Sequence, residues 1–241
     1  MRISANEKGI ERRQKIGKTS TLLGFLFLIA AVVFSFMRLS SALLMQAGFL
    51  AAMVLGVALS FIGGYYGERF VGPQAHHVKV REALKRLDHQ YVLFQYALPV
   101  PHVLLGPEGL TVIVVKSQPG TVTYADGKWQ HRQRLKFMRQ LAGQESLGVP
   151  DEEVQLQVQK LKRFLAGRLP EVDVPVRGVV LFVHPEIQLS LDNPPLPVFP
   201  SGRELRAWLR GPGVGKPLPA GVKRQVEEAL LGGSTTTEDG E

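Results

Sequence analysis

Two apolar runs near the start of the chain restrict its fold more than any other feature. Residues 20–37 and 42–62 contain no Asp, Glu, Lys or Arg, and only the four residues 38–41 separate them. As helices rising about 1.5 Å per residue they measure roughly 27 and 32 Å, the hydrocarbon thickness of a bilayer. So short a connection permits only a tight antiparallel transmembrane hairpin. A cleaved signal peptide is the rival reading for the first run. A second spanning run follows at once, however, and no A-x-A-type cleavage site lies between the two. With no ionisable residue inside either run, a proton or ion pathway is not expected.

The flanks predict orientation. Arg2, Lys8, Arg12, Arg13, Lys15 and Lys18 precede the first run, and Arg69, Lys79, Arg81, Lys85 and Arg86 follow the second. Only Arg38 lies in the connection. By the positive-inside rule both ends face the cytoplasm from an inner (cytoplasmic) membrane, with residues 1–19 as a basic N-terminus. The second run repeats small residues every four positions: Gly48, Ala52, Gly56, Ser60 and Gly64. Such a ridge lets another helix approach closely. Its occupant is either the first helix of the hairpin or a second copy of the chain, so a homo-oligomer through Gly48, Ala52 and Gly56 is one expectation. Gly63, Gly64 and Gly67 read as a flexible exit from the membrane.

The chain has 241 residues, no cysteine and a net charge of +8, with room for one soluble domain beside the hairpin. Without cysteine there is no disulfide scaffold and no thiolate metal site. Residues 67–241 hold 22 Lys and Arg against 19 Asp and Glu, a balance of only +3. Much of the positive charge therefore sits beside the membrane, where an anionic lipid bilayer is the natural partner.

Hydrophobic periodicity predicts a helix over 74–87 and strands over 91–98, 102–105 and 110–115, the last two joined by Gly106-Pro107-Glu108-Gly109. A hairpin pairs 121–124 with 128–131 across Ala125-Asp126-Gly127. An amphipathic helix over 150–167 has Asp151, Glu152 and Glu153 in its first turn, which suits the helix dipole. A strand over 174–183 and a short one over 187–189 follow. Ser201 caps a helix through 209, and Glu204 completes a capping box. Residues 212–233 form a C-terminal helical extension, with its helix over 221–231. Residues 234–241 are a polar, acidic, disordered tail. The order is that of a mixed α/β domain with one core.

Several stretches share a recognisable layout. LDHQYVLFQYALPVPHVLLGPEGLTVIVVKSQPGTVTYADGKWQHR starts at Leu87, LGVPDEEVQLQVQKLKRFL at Leu147 and VRGVVLFV at Val176. With Gly67-Glu68-Arg69 ahead of them, they resemble the nuclease-related domain (NERD) family over residues 67–211. That family is similar to the PD-(D/E)xK nucleases. The resemblance implies a restriction-endonuclease-like mixed sheet flanked by helices, here preceded by the transmembrane hairpin. It also implies Mg²⁺-assisted phosphodiester hydrolysis. An aspartate and a glutamate on neighbouring strands hold the metal, and a lysine two residues after the glutamate shares its strand face.

Mapped onto this sequence, the aspartate position before His102 is Pro101 and the glutamate position is Val114. Lys116 alone keeps its identity, followed by Ser117 where the family often has asparagine. Glu68 matches the family pattern, as does the glutamine-bearing helix with Gln155, Gln157 and Gln159. Val149-Pro150 stands where that family has Asn-Pro. A lone lysine repels Mg²⁺. Glu108 lies in the turn at the far end of the strand, roughly 20 Å away, and Glu68 offers a single carboxylate. The expectation is a catalytically degenerate module that binds nucleic acid or a protein partner, with no cofactor. The alternatives are a divergent Mg²⁺-dependent DNA nuclease with substitute ligands and a membrane-assembly scaffold.

Other features admit a plain reading and a functional one. Lys116 is either led out to solvent or a residual phosphate contact. Arg132, Arg134, Lys136 and Arg139, with Lys160, Lys162 and Arg163, form either a solvated face or a nucleic-acid face. His76-His77 reads as a solvated pair, because adjacent helical residues diverge by about 100°. His102 is expected to be structural. The GPGVGK stretch at 211–216 lacks the first glycine and the Ser/Thr of a phosphate loop.

Overall fold

The computed structural model of the chain describes residues 1–36, 42–133, 145–211 and 215–234. The expected tight connection at 38–41, and the tail beyond residue 234, lie outside the described residues. The chain divides into two compact units, one of Ile10–Ala75 with Leu135–Ser146, the other of Met1–Gly9, His76–Arg134 and Leu147–Glu241.

The first unit is built on two long helices, α1 (Glu7–Phe36) and α2 (Ala42–Phe70), both long and apolar enough to cross a membrane. Their seam is lined by small residues. A Cβ on Gly56 would come within 2.8 Å of Leu28, one on Gly24 within 2.8 Å of Ser60, and one on Gly48 within 3.3 Å of Phe34. The ridge of small residues on α2 thus faces α1. Large apolar side chains point away from the seam: Leu22 is 60% exposed and Leu43 75%. Helices in the core of a water-soluble protein bury such side chains. The expected flexible exit is absent. α2 runs unbroken through Gly63, Gly64 and Gly67. Each glycine costs about 1 kcal/mol of helix propensity, but at Gly63 the close approach to Thr21 leaves no room for a Cβ.

The second unit is a two-sided α/β domain. Its strands are β1 (Arg2–Ala5), β2 (Val92–Gln95), β3 (His102–Gly106), β4 (Gly109–Lys116), β5 (Gly120–Ala125), β6 (Lys128–Arg132), β7 (Val176–Phe182), β8 (Ile187–Leu191) and β9 (Val198–Phe199). Its helices are α3 (His76–Leu84), α4 (Pro150–Ala166), α5 (Gly202–Leu209) and α6 (Ala220–Ser234). The six-stranded sheet has the order β1-β2-β3-β4-β7-β9, and a three-stranded sheet runs β6-β5-β8. The meander β2-β3-β4 is antiparallel, whereas β7 pairs parallel to β4 with Lys116 beside Phe182. This is the mixed sheet flanked by helices that the resemblance implies.

Strand alternation sends side chains to two different cores. Leu93, Leu104, Ile113 and Val115 pack with Val80 and Leu84 of α3 and Leu205 and Leu209 of α5. Val92, Phe94, Val103 and Val112 pack with Leu161 and Leu165 of α4 and Val226 and Leu230 of α6. A third cluster joins Val114, Val154 and Phe182 to Val122 of the small sheet. The single core expected from sequence is therefore divided by a sheet buried on both faces.

Two glycines fix close approaches. Gly109 opens β4 at φ +116°, where a Cβ would also strike the Pro175 carbonyl. At Gly178 a Cβ would overlap the Val154 side chain, so glycine lets α4 lie directly on β7.

Two strands escape the sequence reading. β9 has two residues. β1 lies within the stretch read only as a basic N-terminus, yet it pairs parallel to β2 from Arg2↔Val92 to Ala5↔Gln95. The Met1 ammonium donates to the Leu87 carbonyl at 3.1 Å, and Arg2 pairs with Glu227 at 2.6 Å. Residues on both sides of the α1–α2 pair therefore belong to one sheet.

Candidate functional site

β4 sends Val112, Val114 and Lys116 to the face covered by α4. Lys116 is only 4% exposed. An ammonium at such a place needs a compensating group. Glu153 supplies it, with Oε2 2.6 Å from Nζ. The reading of Lys116 as a lysine led out to solvent is thereby corrected, because α4 closes over the end of β4 and brings a carboxylate with it.

Glu153 lies in the first turn of α4. That helix starts with Pro150 at N1, and Val149 before it gives no side-chain cap. The partial positive charge of the uncapped terminus favours acids here. One turn on, Gln157 Nε2 donates to Glu153 Oε1 at 3.4 Å. Asp151 accepts from Trp129 Nε1 at 2.7 Å, tying β6 to the same helix start. Two acids expected to serve only the helix dipole thus fasten α4 to the larger sheet and to the hairpin.

The residue after Lys116 meets α3. His76 Nε2 lies 3.4 Å from Ser117 Oγ. His76 and His77 are both buried, which corrects their reading as a solvated pair. The start of α3 faces the sheet, and the His77 carbonyl accepts from Gln95 Nε2 at 2.8 Å. Gln95 is itself fully buried and accepts from Arg81 Nε at 2.5 Å. His102 is buried with its ring edge-on to Tyr96 at 5.1 Å.

The register Val103↔Val112, extended by two residues, sets Pro101 opposite Val114. Val114 is 2% exposed and packs against Val122, Val154 and Phe182. Hydrocarbon therefore fills the position at which the resemblance implies one metal-binding acid, and a proline stands where it implies the other. Among the described residues, the Lys116 ammonium pairs with the Glu153 carboxylate, which also accepts from the Gln157 amide. Among the described residues no group of three or more His, Cys, Asp and Glu is placed to hold a metal. Mg²⁺ prefers near-octahedral oxygen ligation with carboxylate support. These residues do not fit it.

The sequence model of the nuclease-related domain (NERD) family matches residues 64–183. This stretch is a NERD domain. No curated protein and no solved structure matches the chain.

Within the NERD domain the candidate residues fall into four groups. Lys116 and Gln157 come together around Glu153. Gln155 and Arg132 are exposed and apart from that cluster, on α4 and at the end of β6. Arg134, Lys136 and Arg139 lie outside the described residues. Glu68 belongs to the helix-pair unit, where its carboxylate accepts from the Glu145 N–H at 3.3 Å, and Arg69 pairs with Glu145 at 2.7 Å. Glu153 is the residue the sequence reading missed. Its signal was the four-residue spacing to Gln157 on one helix face, beside buried Val154 and Leu161.

Proposed function

We propose that the chain is a membrane-anchored NERD protein whose domain binds a nucleic acid or a protein partner and has lost metal-dependent cleavage. The observation that carries this reading is the 2.6 Å pair between Lys116 and Glu153, with Val114 and Pro101 at the acid positions. In metal-assisted hydrolysis the ion generates the nucleophilic water and neutralises the phosphate. The lysine contributes by meeting charge that develops in the transition state. Here its charge is already met by a carboxylate of the same domain.

A second reading has one observation in its favour. Glu153 places a carboxylate beside the lysine, which is where a substitute ligand of a divergent nuclease belongs. Incubating plasmid DNA with the full chain in detergent and Mg²⁺ or Mn²⁺ separates the two. The binding reading expects no nicking. Nicking that disappears in Lys116→Ala overturns it.

The α1–α2 pair is the anchor in this proposal. Residues before α1 and after α2 join the same sheet, so both ends leave the bilayer on one side. The basic flanks assign that side to the cytoplasm of an inner membrane. A cysteine introduced at exposed Gln188 should resist a membrane-impermeant maleimide in intact cells and react after permeabilisation. Labelling of intact cells would reverse the orientation.

A further inference from the structure

Cationic side chains gather on the sheet face opposite Lys116. Arg203, Arg206 and Arg210 follow one another at spacings of three and four along α5 and its C-cap, which places them on one helix face. Lys79 on α3 and Arg86 just after it supply the facing charges. The two elements interlock: Arg206 Nη1 donates to the Ala83 carbonyl, and Arg210 Nη2 donates to the Arg86 carbonyl at 2.5 Å. At one end of the seam is an open pocket of about 470 Å³, whose lining includes Lys79, Glu82, Ser201, Gly202, Arg203 and Arg206.

The nearby acids balance only part of this charge and leave the arginines in excess. Glu82 is held by Lys79 at 3.3 Å, and Glu204 accepts from Ser201 Oγ at 3.2 Å within the capping box. The Arg206 guanidinium has its pKa lowered, first by burial and then by Arg86 and Arg210. Like charges so crowded favour a counter-anion. The shape of the cluster selects which one. A single phosphate fills only the pocket and leaves Arg86 and Arg210 beyond it. The eight residues of α5 span about 12 Å. A nucleic-acid strand is a continuous row of phosphates, one per nucleotide. More than one phosphate therefore meets the stripe.

We propose that the α3–α5 seam binds the sugar-phosphate backbone of a nucleic-acid strand, with one phosphate seated in the pocket beside Arg203 and Arg206. The proposal rests on the reading that the domain binds nucleic acid. It moves the contact from the relic of the nuclease site to the opposite face of the sheet. Recognition is through phosphates and is independent of base sequence.

The test is fluorescence anisotropy of a labelled single-stranded 20-mer DNA with the full chain in non-ionic detergent, at about 50 and 200 mM salt. Arg203→Glu with Arg210→Glu reverses two exposed charges of the stripe. Lys128→Glu with Arg224→Glu makes the same change of net charge elsewhere. Arg203→Glu alone serves if the stripe double variant loses its far-ultraviolet circular dichroism. The stripe variant should bind at least about tenfold more weakly, with a salt slope smaller by about 2, while the control stays within about twofold. Equal binding by wild type and stripe variant overturns the proposal and leaves the binding reading standing. No DNA binding by wild type at either salt overturns both. If the stripe variant keeps DNA but loses co-sedimentation with phosphatidylglycerol vesicles, the seam faces a membrane and the proposal fails.

Discussion

On the α4 face of the six-stranded sheet, Lys116 is buried and held by Glu153 at 2.6 Å. On the α3–α5 face, Arg203 and Arg210 are exposed, and Arg210 donates to the Arg86 carbonyl at 2.5 Å. The contrast separates two uses of positive charge. A buried ammonium matched by its own carboxylate holds two elements together and has little left for a ligand. An exposed cluster ties its elements only through single bonds to backbone carbonyls and keeps its field available to solvent. The lysine that the resemblance matches to a nuclease lysine is buried and paired here, and in the proposed reading the charge that meets a ligand lies on the other face.

The largest expected effect breaks the α4 side of this comparison. Glu153→Ala leaves the Lys116 ammonium buried without its carboxylate and should lower stability by about 3 kcal/mol. Lys116→Met keeps the aliphatic stem and leaves Glu153, whose side chain is 36% exposed, to water. That change should cost about 1 kcal/mol or less. Denaturant titration of the full chain in detergent measures both. Equal costs would mean that the pair is not held by burial of the lysine. By contrast, Arg203→Glu on the exposed face should change stability by no more than about 0.5 kcal/mol.

Next in size is Gly178→Ala, which pushes a methyl group into Val154. Overpacking of this kind costs about 2 kcal/mol. Because it lifts the start of α4, it should also weaken the Lys116–Glu153 pair. Adding Val154→Ala removes the overlap, so the double variant should be less destabilised than the sum of the two singles. Strict additivity in the same titration would show that α4 does not rest on β7 through this contact.

These two effects also mark where the sequence is legible. Local chemistry announced the turns and helix starts. Asp126 and Gly127 take φ of 51° and 73°, as a two-residue Asp-Gly hairpin requires. Ser201 accepts from the Glu204 N–H as the capping box predicted. Long-range pairing left no such trace. β1 meets a partner strand some ninety positions along the chain, and its four residues carry no turn signal of their own. Glu153 read as a helix-dipole acid because nothing near it in sequence names Lys116 as its mate. The glycines of α2 read as a break because propensity is local, whereas the helix seam that accommodates them is tertiary. The arginines of α5 were not singled out in the sequence, because their proximity to Lys79 and Arg86 depends on how α3 packs.

A smaller effect sharpens the exposed face. Ser201→Ala removes the cap of α5 and should cost about 1 kcal/mol. Since α5 carries Arg203 and Arg206, fraying of its first turn should also weaken DNA binding in the anisotropy assay. Unchanged binding beside the expected loss of stability would separate the pocket from the helix start.

The smallest effect concerns the joint that holds the other end of α5. The buried Tyr91 hydroxyl donates to the Leu209 carbonyl at 3.1 Å, one residue before Arg210. Burial raises the Tyr91 pKa above its ordinary 10.0, Glu108 and Asp88 add to the rise, and Arg210 and Arg177 oppose it. A raised pKa means that the folded state holds this proton more tightly than the unfolded chain. The resulting stability is fully present below about pH 10 and is lost as pH rises through the folded value. Tyr91→Phe should cost about 1 kcal/mol at neutral pH for the lost hydrogen bond. It should also remove part of the alkaline decline, because phenylalanine has no proton to lose. Melting curves of wild type and Tyr91→Phe should therefore differ at pH 7 and converge above pH 10. A gap that stays constant through the alkaline range would show that the phenol does not titrate within the fold, leaving the hydrogen bond to Leu209 as its sole contribution.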